Sequence, residues 1–173
     1  TPDGKVRWVH QAKCDGVARG NALTVDSKGN AYITGNFREF IGFDTLRVEK
    51  QMKKNFYVVK FDPEGNVKWL RQAAGGSDLI TFIYVYDIEV DGEDNVFVAG
   101  EMLGPVKFDN HTYSTSLAWY HEGGIPQREI FVAKYDQDGL FQWVRAMAVE
   151  ARFEDLTVDK EGRIAIAGYF EGA

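Results

Sequence analysis

Short apolar runs separated by polar turns make up most of this chain. The runs are rich in Val, Ile, Tyr and Phe, and the turns between them are rich in Asp, Asn and Gly. β-Branched and aromatic residues favour strands, while Asp-x-x-Gly supplies an Asx-type turn and a glycine for positive φ. No segment shows the three- and four-residue apolar spacing of an amphipathic helix. The pattern therefore predicts an all-β chain of short antiparallel strands with almost no helix.

A sequence motif that begins with Asp and ends with Gly occurs three times, and its final glycines are 65 and then 68 residues apart. A second motif, which ends in Trp, occurs twice. Self-similarity with this period indicates one supersecondary unit used repeatedly. The first motif occupies residues 26–35, 91–100 and 159–168, ending at Gly35, Gly100 and Gly168, and the second occupies residues 56–69 and 131–143.

Each complete repeat predicts four strands, named a to d in chain order. Residues 3–12 match strand d alone, and residues 153–170 match strands a and b alone. The predicted strands a to d cover residues 22–26, 31–37, 55–62 and 66–73 in the first complete copy, and lie within residues 82–90, 95–102, 130–136 and 140–147 in the second.

The predicted strand c is apolar on both of its faces. Phe56 and Val58 point to one side, whereas Tyr57, Val59 and Phe61 point to the other. A strand of this kind is covered on both sides. Sheets stacked face to face provide such cover, so the pattern favours a stack of similar blades over one open sheet.

The two motifs resemble the SBBP repeat, the bacterial seven-bladed β-propeller repeat, over nearly the whole chain. Arg163, Asn55 and Ile130 depart from its pattern. The matching residues are Asp26, Gly29, Asn30, Tyr32, Thr34, Gly35, Phe56, Val58, Lys60, Asp62, Gly65 and Trp69 in the first copy, and Asp91, Asn95, Phe97, Gly100, Phe131, Val132, Lys134, Tyr135, Asp136, Gly139 and Trp143 in the second.

This resemblance implies a β-propeller of four-stranded antiparallel blades around a central channel. It also implies a secreted or cell-surface bacterial protein, a class that includes surface proteins of Bacteroidetes, and no shared catalytic residues. One propeller segment is expected, with a blade end at residues 1–20, full blades at 21–74 and 75–149, and a blade start at 150–173. Closure needs about four to eight blades, so the missing ones come from a longer chain or from other copies.

The overall charge limits the partners. The net charge is −6 and the isoelectric point is about 5.1, which argues against nucleic acid and against anionic membrane surfaces. No apolar run is long enough to span a bilayer, so no membrane insertion is expected. The single cysteine, Cys14, forms no internal disulfide.

The acidic turns offer a choice between structure and metal binding. Asp91, Glu93 and Asp94 supply the hard oxygens that calcium prefers. However, Asp recurs at the head of every such turn, including Asp26 and Asp159, which favours a side chain that caps a hairpin. No cofactor is expected, and calcium is the weaker alternative. The scattered histidines favour no metal site.

Two further residue types recur once per repeat. Trp8, Trp69 and Trp143 favour packing between an outer strand and the neighbouring blade, with a carbohydrate groove as the alternative. Lys60 and Lys134 lie between apolar residues of strand c. A structural lysine that reaches a carboxylate or solvent is favoured over a nucleophile with a lowered pKa.

The connectors between strands b and c, residues 38–54 and 103–129, differ most between the copies. Insertions in repeat proteins often mark the binding face, so the longer connector is the candidate site for a glycan or a protein. The alternative is a loop that folds its aromatics over the edge of the blade. The candidate binding residues are Tyr113, Trp119, Tyr120, His121 and Glu122.

The sequence therefore favours a non-catalytic scaffold and binding module of a bacterial secreted or cell-surface protein, with a protein or glycan partner. One alternative is a propeller enzyme (a lyase, hydrolase or quinoprotein) with its active site on the missing blades. Asn21 and Tyr84, at corresponding starts of strand a, form no acid–base pair. The other alternative is a component of a surface assembly.

Overall fold

The computed structural model describes residues 3–75, 82–115, 128–148 and 151–170. These ranges hold fifteen strands, and no helix is found within them. The strands are β1 Lys13–Asp15, β2 Ala18–Val25, β3 Ala31–Phe37, β4 Phe40–Phe43, β5 Leu46–Glu49, β6 Lys54–Phe61, β7 Val67–Gly75, β8 Phe82–Val90, β9 Val96–Leu103, β10 Pro105–Phe108, β11 His111–Ser114, β12 Glu129–Tyr135, β13 Phe141–Ala148, β14 Ala151–Val158 and β15 Ile164–Phe170.

Two antiparallel sets of four strands hold the predicted strands a to d in sequential order. The first is β2-β3-β6-β7 and the second is β8-β9-β12-β13, while β14 and β15 form a third strand a–b pair. The all-β, propeller-like repeat fold predicted from the sequence is therefore confirmed. Most strand boundaries agree within two residues, but β2 begins at Ala18, four residues earlier than expected.

The b–c connectors contain hairpins that the sequence reading treated as loops. Strands β4 and β5 form the first hairpin, and β10 and β11 form the second. The second hairpin adds to the outer strand β7 of the preceding sheet, where Val106 pairs with Gly75. The first sheet therefore has six strands instead of the predicted four, because the next repeat supplies two of them.

The N-terminal segment also differs from its prediction. Residues 5–12, expected to form a strand d, carry no strand, and the first strand is β1 Lys13–Asp15. β1 pairs with β4 in the register in which β7 pairs with β10, because Cys14 opposes Ile41 as Gly75 opposes Val106. The end of this segment thus takes the position of strand d relative to the hairpin of the next repeat.

Strand β6 is covered on both faces, as its composition predicted. Phe56 and Val58 are fully buried in the core between the two sheets. On its other face, Tyr57 and Val59 are buried in a second core with the β4–β5 hairpin. The stacking of successive sheets brings the strands a of neighbouring repeats together, since β8 packs against β2.

Candidate functional site

The two ends of each sheet carry different chemistry. At the turn end, the Asp-x-x-Gly turns join strand a to b and strand c to d. At the connector end, strands a and c begin and strand b ends. The turn end is built from hydrogen bonds of the Asp side chains, whereas the connector end gathers side chains from two neighbouring repeats.

The Asp side chains close the turns at the turn end. Oδ1 of Asp26 accepts hydrogen bonds from the amides of Lys28 and Asn30, both at 2.9 Å. Its Oδ2 accepts from the Asn30 side chain at 2.7 Å and from the Tyr32 hydroxyl at 3.0 Å. Burial raises the pKa of Asp26, but these hydrogen bonds outweigh it and hold the pKa below its ordinary value.

The predicted calcium alternative falls on a turn of the same construction. Asp91 Oδ1 accepts from the amides of Glu93 and Asn95, both at 2.9 Å, and Asp94 is paired with Lys28 of the preceding repeat. Within residues 3–75, 82–115, 128–148 and 151–170, no group of three or more His, Cys, Asp or Glu side chains is arranged to hold a metal ion.

The once-per-repeat lysines contact polar groups beside aromatic rings. Lys60 donates to the carbonyl of Gln137 in the next repeat at 3.1 Å, and its ammonium lies 5.0 Å from the Tyr32 ring centre. Lys134 Nζ lies 3.7 Å from Asp91 Oδ2 and 5.1 Å from the Phe97 ring centre.

The predicted connector residues are only partly within the described structure. Tyr113 lies on β11, is half-buried, and donates its hydroxyl to Glu129 Oε2 at 3.2 Å. Its ring packs against the core between the two sheets. Binding by this connector stays a prediction, since Trp119, Tyr120, His121 and Glu122 lie outside the described residues.

A β-bulge recurs in every strand a–b pair near the connector end. The register shifts at Asn21, Tyr86 and the matching position of the third pair. A bulge re-aims the extra side chain. Asn21 accordingly donates to the carbonyl of Val85 at 2.6 Å, and the Tyr86 ring stacks on Phe153 with centroids 6.0 Å apart. Asn21 and Tyr86 therefore each contact the strand a of the next repeat.

These contacts border a cleft of about 480 Å³ between the first two repeats. We call it the connector-end cleft. Its lining combines cations, amides and tyrosines from the starts of strands a and c and the end of strand b. The lining residues are Val17, Arg19, Asn21, Asn36, Phe37, Arg38, Lys53, Lys54, Asn55, Tyr84 and Tyr86.

An amide network forms one wall of the connector-end cleft. Asn21 donates to Asn36 Oδ1 at 3.0 Å, and Asn36 donates to the carbonyl of Asn55 at 3.2 Å. The buried Asn55 side chain accepts from the Gln51 amide at 3.1 Å and donates to the Met52 carbonyl at 2.8 Å. These two hydrogen bonds close the loop before β6 and so position Lys53 and Lys54.

Stacked tyrosines form the opposite wall. The rings of Tyr84 and Tyr86 lie with centroids 6.5 Å apart, and Lys54 Nζ lies 5.2 Å from the Tyr84 ring centre. Burial, followed by the charge of Glu101, raises the pKa of Tyr86. Tyr86 thus keeps its proton at neutral pH, and with 40% of its surface exposed it can donate a hydrogen bond to a ligand.

Four cations surround this cleft, and no carboxylate lines it. Over the part of the chain that the structure describes, none of the four takes part in an ion pair. A cleft lined by one sign of charge concentrates counter-ions and ligands of the opposite sign. The four cations are Arg19, Arg38, Lys53 and Lys54.

A second cleft, of about 460 Å³, lies beside Trp69 at the turn end. Its cations are partly offset by Asp138, and two of them, Lys60 and Arg71, are engaged with carbonyls of the next repeat. The connector-end cleft is therefore the better candidate for an anionic ligand.

Sequence reasoning did not find the connector-end cleft or the connector hairpins. The cleft joins residues that lie far apart along the chain and share no motif. The hairpins did leave a signal, because Phe43-Asp44 and Phe108-Asp109 occur at matching places. Both Asp residues adopt positive φ, of 49° and 48°, in two-residue turns.

The fold and the repeated junctions define a propeller-like repeat protein. No known protein-family profile matches the chain. It is similar to an uncharacterized WD repeat-containing protein of Acanthamoeba polyphaga mimivirus, with 22% identity over 196 residues that cover 98% of this chain. The chain spans 14% of that relative's length. In the described residues, no helical segment has the length and hydrophobicity that a membrane crossing requires.

Proposed function

We propose that this propeller-like segment is a non-catalytic binding scaffold that holds an acidic segment of a partner protein in the connector-end cleft. The observation that carries the proposal is the concentration of four cations around one cleft in a chain of net charge −6. Long-range attraction would steer an acidic segment to this end of the sheets.

The uncharged residues of the cleft lining, which are amides and tyrosines, support a protein partner. Tyr and Arg are enriched at protein interfaces, where tyrosine rings supply apolar area and a polar tip. Tyr84 and Tyr86 offer two such rings, and Asn21 and Asn36 offer amides suited to peptide groups. WD-repeat proteins generally bind proteins, and the similarity to one such relative agrees with this role.

A binding titration tests the proposal directly. A short fluorescein-labelled peptide of glutamate and tyrosine is titrated with the protein, and anisotropy reports binding. The double substitution Lys53→Glu and Lys54→Glu is expected to weaken binding at least about tenfold, equivalent to about 1.4 kcal/mol. Added salt should weaken binding by the wild-type protein, because exposed charges are screened over about 10 Å at 0.1 M.

The matched control carries the same change in net charge at the turn end. Lys68→Glu with Lys160→Glu should leave the affinity within about twofold. Salt screens charges at the turn end from a ligand bound at the connector end. Equal losses for both pairs would show a general charge effect and contradict a site at the cleft. Stronger binding of an RNA oligonucleotide or an acidic polysaccharide at matched charge would contradict a protein partner.

We also propose that the segment belongs to a bacterial secreted or cell-surface protein of the SBBP type. The support is the resemblance of its two repeated sequence motifs to that repeat. Antibody labelling of intact cells that make the whole protein tests the location. Signal that appears only after permeabilisation would rule out surface exposure.

A further inference from the structure

The connector ends of the two complete repeats can be compared position by position. Strand b pairs with strand c in the same register in both repeats, β3 with β6 and β9 with β12. In this register Asn36, at the end of strand b in the first repeat, corresponds to Glu101 in the second. Lys54, at the start of strand c, corresponds to Arg128. The two repeats therefore place a cation at the same point but differ in the side chain on the neighbouring strand.

In the second repeat, a carboxylate of the chain itself pairs with this cation. Glu101 Oε2 accepts from Arg128 at 3.0 Å, and Oε1 accepts from the Phe153 amide of the following repeat at 3.1 Å. The Glu101 side chain is only 4% exposed, and a buried carboxylate needs such partners because an unpaired charge in a low dielectric is costly. This junction therefore contains an anion site, between a strand c cation and the next strand a, that the chain fills with its own side chain.

In the first repeat, the corresponding acidic positions are asparagines. Asn36 also reaches across the junction, where it donates to the Ile83 carbonyl at 3.4 Å, but its amide is neutral and one methylene shorter than a glutamate. Asn55 likewise stands at the position of Glu129. In the ranges that the structure describes, Lys54 forms no ion pair. The cation is thus kept at this junction without the acid that pairs with it in the second repeat.

The junction that holds Lys54 lies between two repeats that each contribute all four strands, β2-β3-β6-β7 and β8-β9-β12-β13. The two sets meet where β8 packs against β2. In a stack of repeats, each repeat contacts only its immediate neighbours. A repeat stacked on the far side of either set would therefore lie outside this junction and would not supply a carboxylate to Lys54.

We propose that a glutamate or aspartate side chain of the acidic partner segment takes, in the first repeat, the place that Glu101 takes in the second. This inference rests on the function proposed above for the connector-end cleft, and it names the group recognised and the residues that select it. The carboxylate binds between Lys54 and β8, beside Tyr84, whose ring centre lies 5.2 Å from the Lys54 ammonium. Asn36 makes the cleft selective for an acid, because it leaves the cation to be paired by the partner.

Single substitutions of the two neighbouring lysines test which cation holds the carboxylate. Lys54→Ala should weaken binding of the fluorescein-labelled peptide of glutamate and tyrosine at least about tenfold. Lys53→Ala removes the same charge one residue away and should weaken it by less than about threefold. Lys54→Arg should bind within about twofold of the wild type, because an arginine holds the carboxylate at this place in the second repeat. Equal losses for the two alanine variants would overturn the inference.

Asn36→Glu tests the same site from inside the chain. The new side chain supplies the carboxylate that Glu101 supplies in the second repeat, so it should compete with the peptide and weaken binding at least about tenfold. Val17→Glu is the matched control, because Val17 is an exposed part of the cleft lining and gains the same charge. It should weaken binding by less than about threefold. Wild-type affinity in Asn36→Glu, or equal losses in both variants, would overturn the inference.

Urea unfolding adds a readout that needs no peptide. Lys54→Ala should lower the urea midpoint more in the Asn36→Glu background than in the wild type, because only there does it remove an ion pair. Equal shifts in the two backgrounds would overturn the inference. If Asn36→Glu fails to fold, the two alanine variants decide. A wild-type protein that does not bind the peptide would contradict the proposed function itself. Binding that is lost in Lys53→Glu with Lys54→Glu but weakened equally by the two alanine variants would overturn only the carboxylate site.

Discussion

The carbonyl oxygen of Arg19 lies 1.7 Å from the position that a Cβ on Gly35 would occupy. Because of the bulge at Asn21, strand β2 presents this carbonyl directly to the neighbouring strand. The same approach recurs at Gly100, where the Tyr84 carbonyl would lie 2.0 Å from a Cβ. The glycine at the end of each Asp-to-Gly motif thus makes room for the bulge that directs side chains toward the next repeat.

Gly35→Ala should destabilise the protein by more than about 3 kcal/mol, because the clash is with backbone and cannot be relieved by rotating a side chain. Gly168→Ala should cost less, since the nearest carbonyl lies at 2.6 Å. Urea unfolding at neutral pH measures these differences. Gly20→Ala is the control on the facing strand, where the nearest heavy atom lies at 3.6 Å. Equal effects at residues 20 and 35 would contradict the close approach.

Gly139→Ala should destabilise the protein by about 2–4 kcal/mol, since it adds strain at positive φ to a clash with the Trp69 ring. Gly29→Ala has similar strain, with φ of 81°, but its nearest neighbour lies at 3.5 Å. Its loss should be only about 1–2 kcal/mol. A double-mutant cycle with Trp69→Ala isolates the ring contact, and a coupling near zero would exclude the clash.

Glu101→Ala should destabilise the protein by about 2–4 kcal/mol. The buried Glu101 accepts from the Phe153 amide at 3.1 Å and from the partly exposed Arg128 at 3.0 Å, so truncation leaves the buried Phe153 amide without its acceptor. Glu101→Gln keeps one acceptor and should lose less. Glu49→Ala removes an exposed ion pair with Arg47 and should cost below about 1 kcal/mol. Urea unfolding compares the three variants, and a similar loss in all would contradict this role of Glu101.

Asp26→Asn should change the response of stability to acid. The folded-state pKa of Asp26 lies below its ordinary value, so the ionised carboxylate contributes stability above about pH 4, the unfolded-state value. This contribution is lost as the pH falls through the folded-state pKa. The gap in unfolding free energy between wild type and variant should therefore be widest at neutral pH and narrow toward about pH 3. Urea unfolding across this range checks it, and a constant gap would contradict the shift.

The strands could be predicted from the sequence because each depends on local chemistry. Alternating and doubly apolar runs define β3 and β6, and Asp-x-x-Gly turns such as Asp62–Gly65 punctuate them. The repeat then implied that similar sheets stack. Residues 5–12 show the limit of local reasoning, because their sequence matches that of strand d but the structure assigns them no strand. A strand needs a hydrogen-bonded neighbour, which no local pattern guarantees.

Local sequence patterns were enough to predict the strand order, the turn chemistry and the repeated Trp and Gly positions. Which repeat each element joins follows instead from tertiary contacts: the β10–β11 hairpin extends the sheet before its own, and Trp69 covers the glycine of the repeat after its own. The connector-end cleft likewise brings Lys54 beside Tyr84 across a junction. Strand formation depends on neighbours along the chain, whereas these contacts depend on how stacked sheets align, and alignment is fixed by packing between residues distant in sequence.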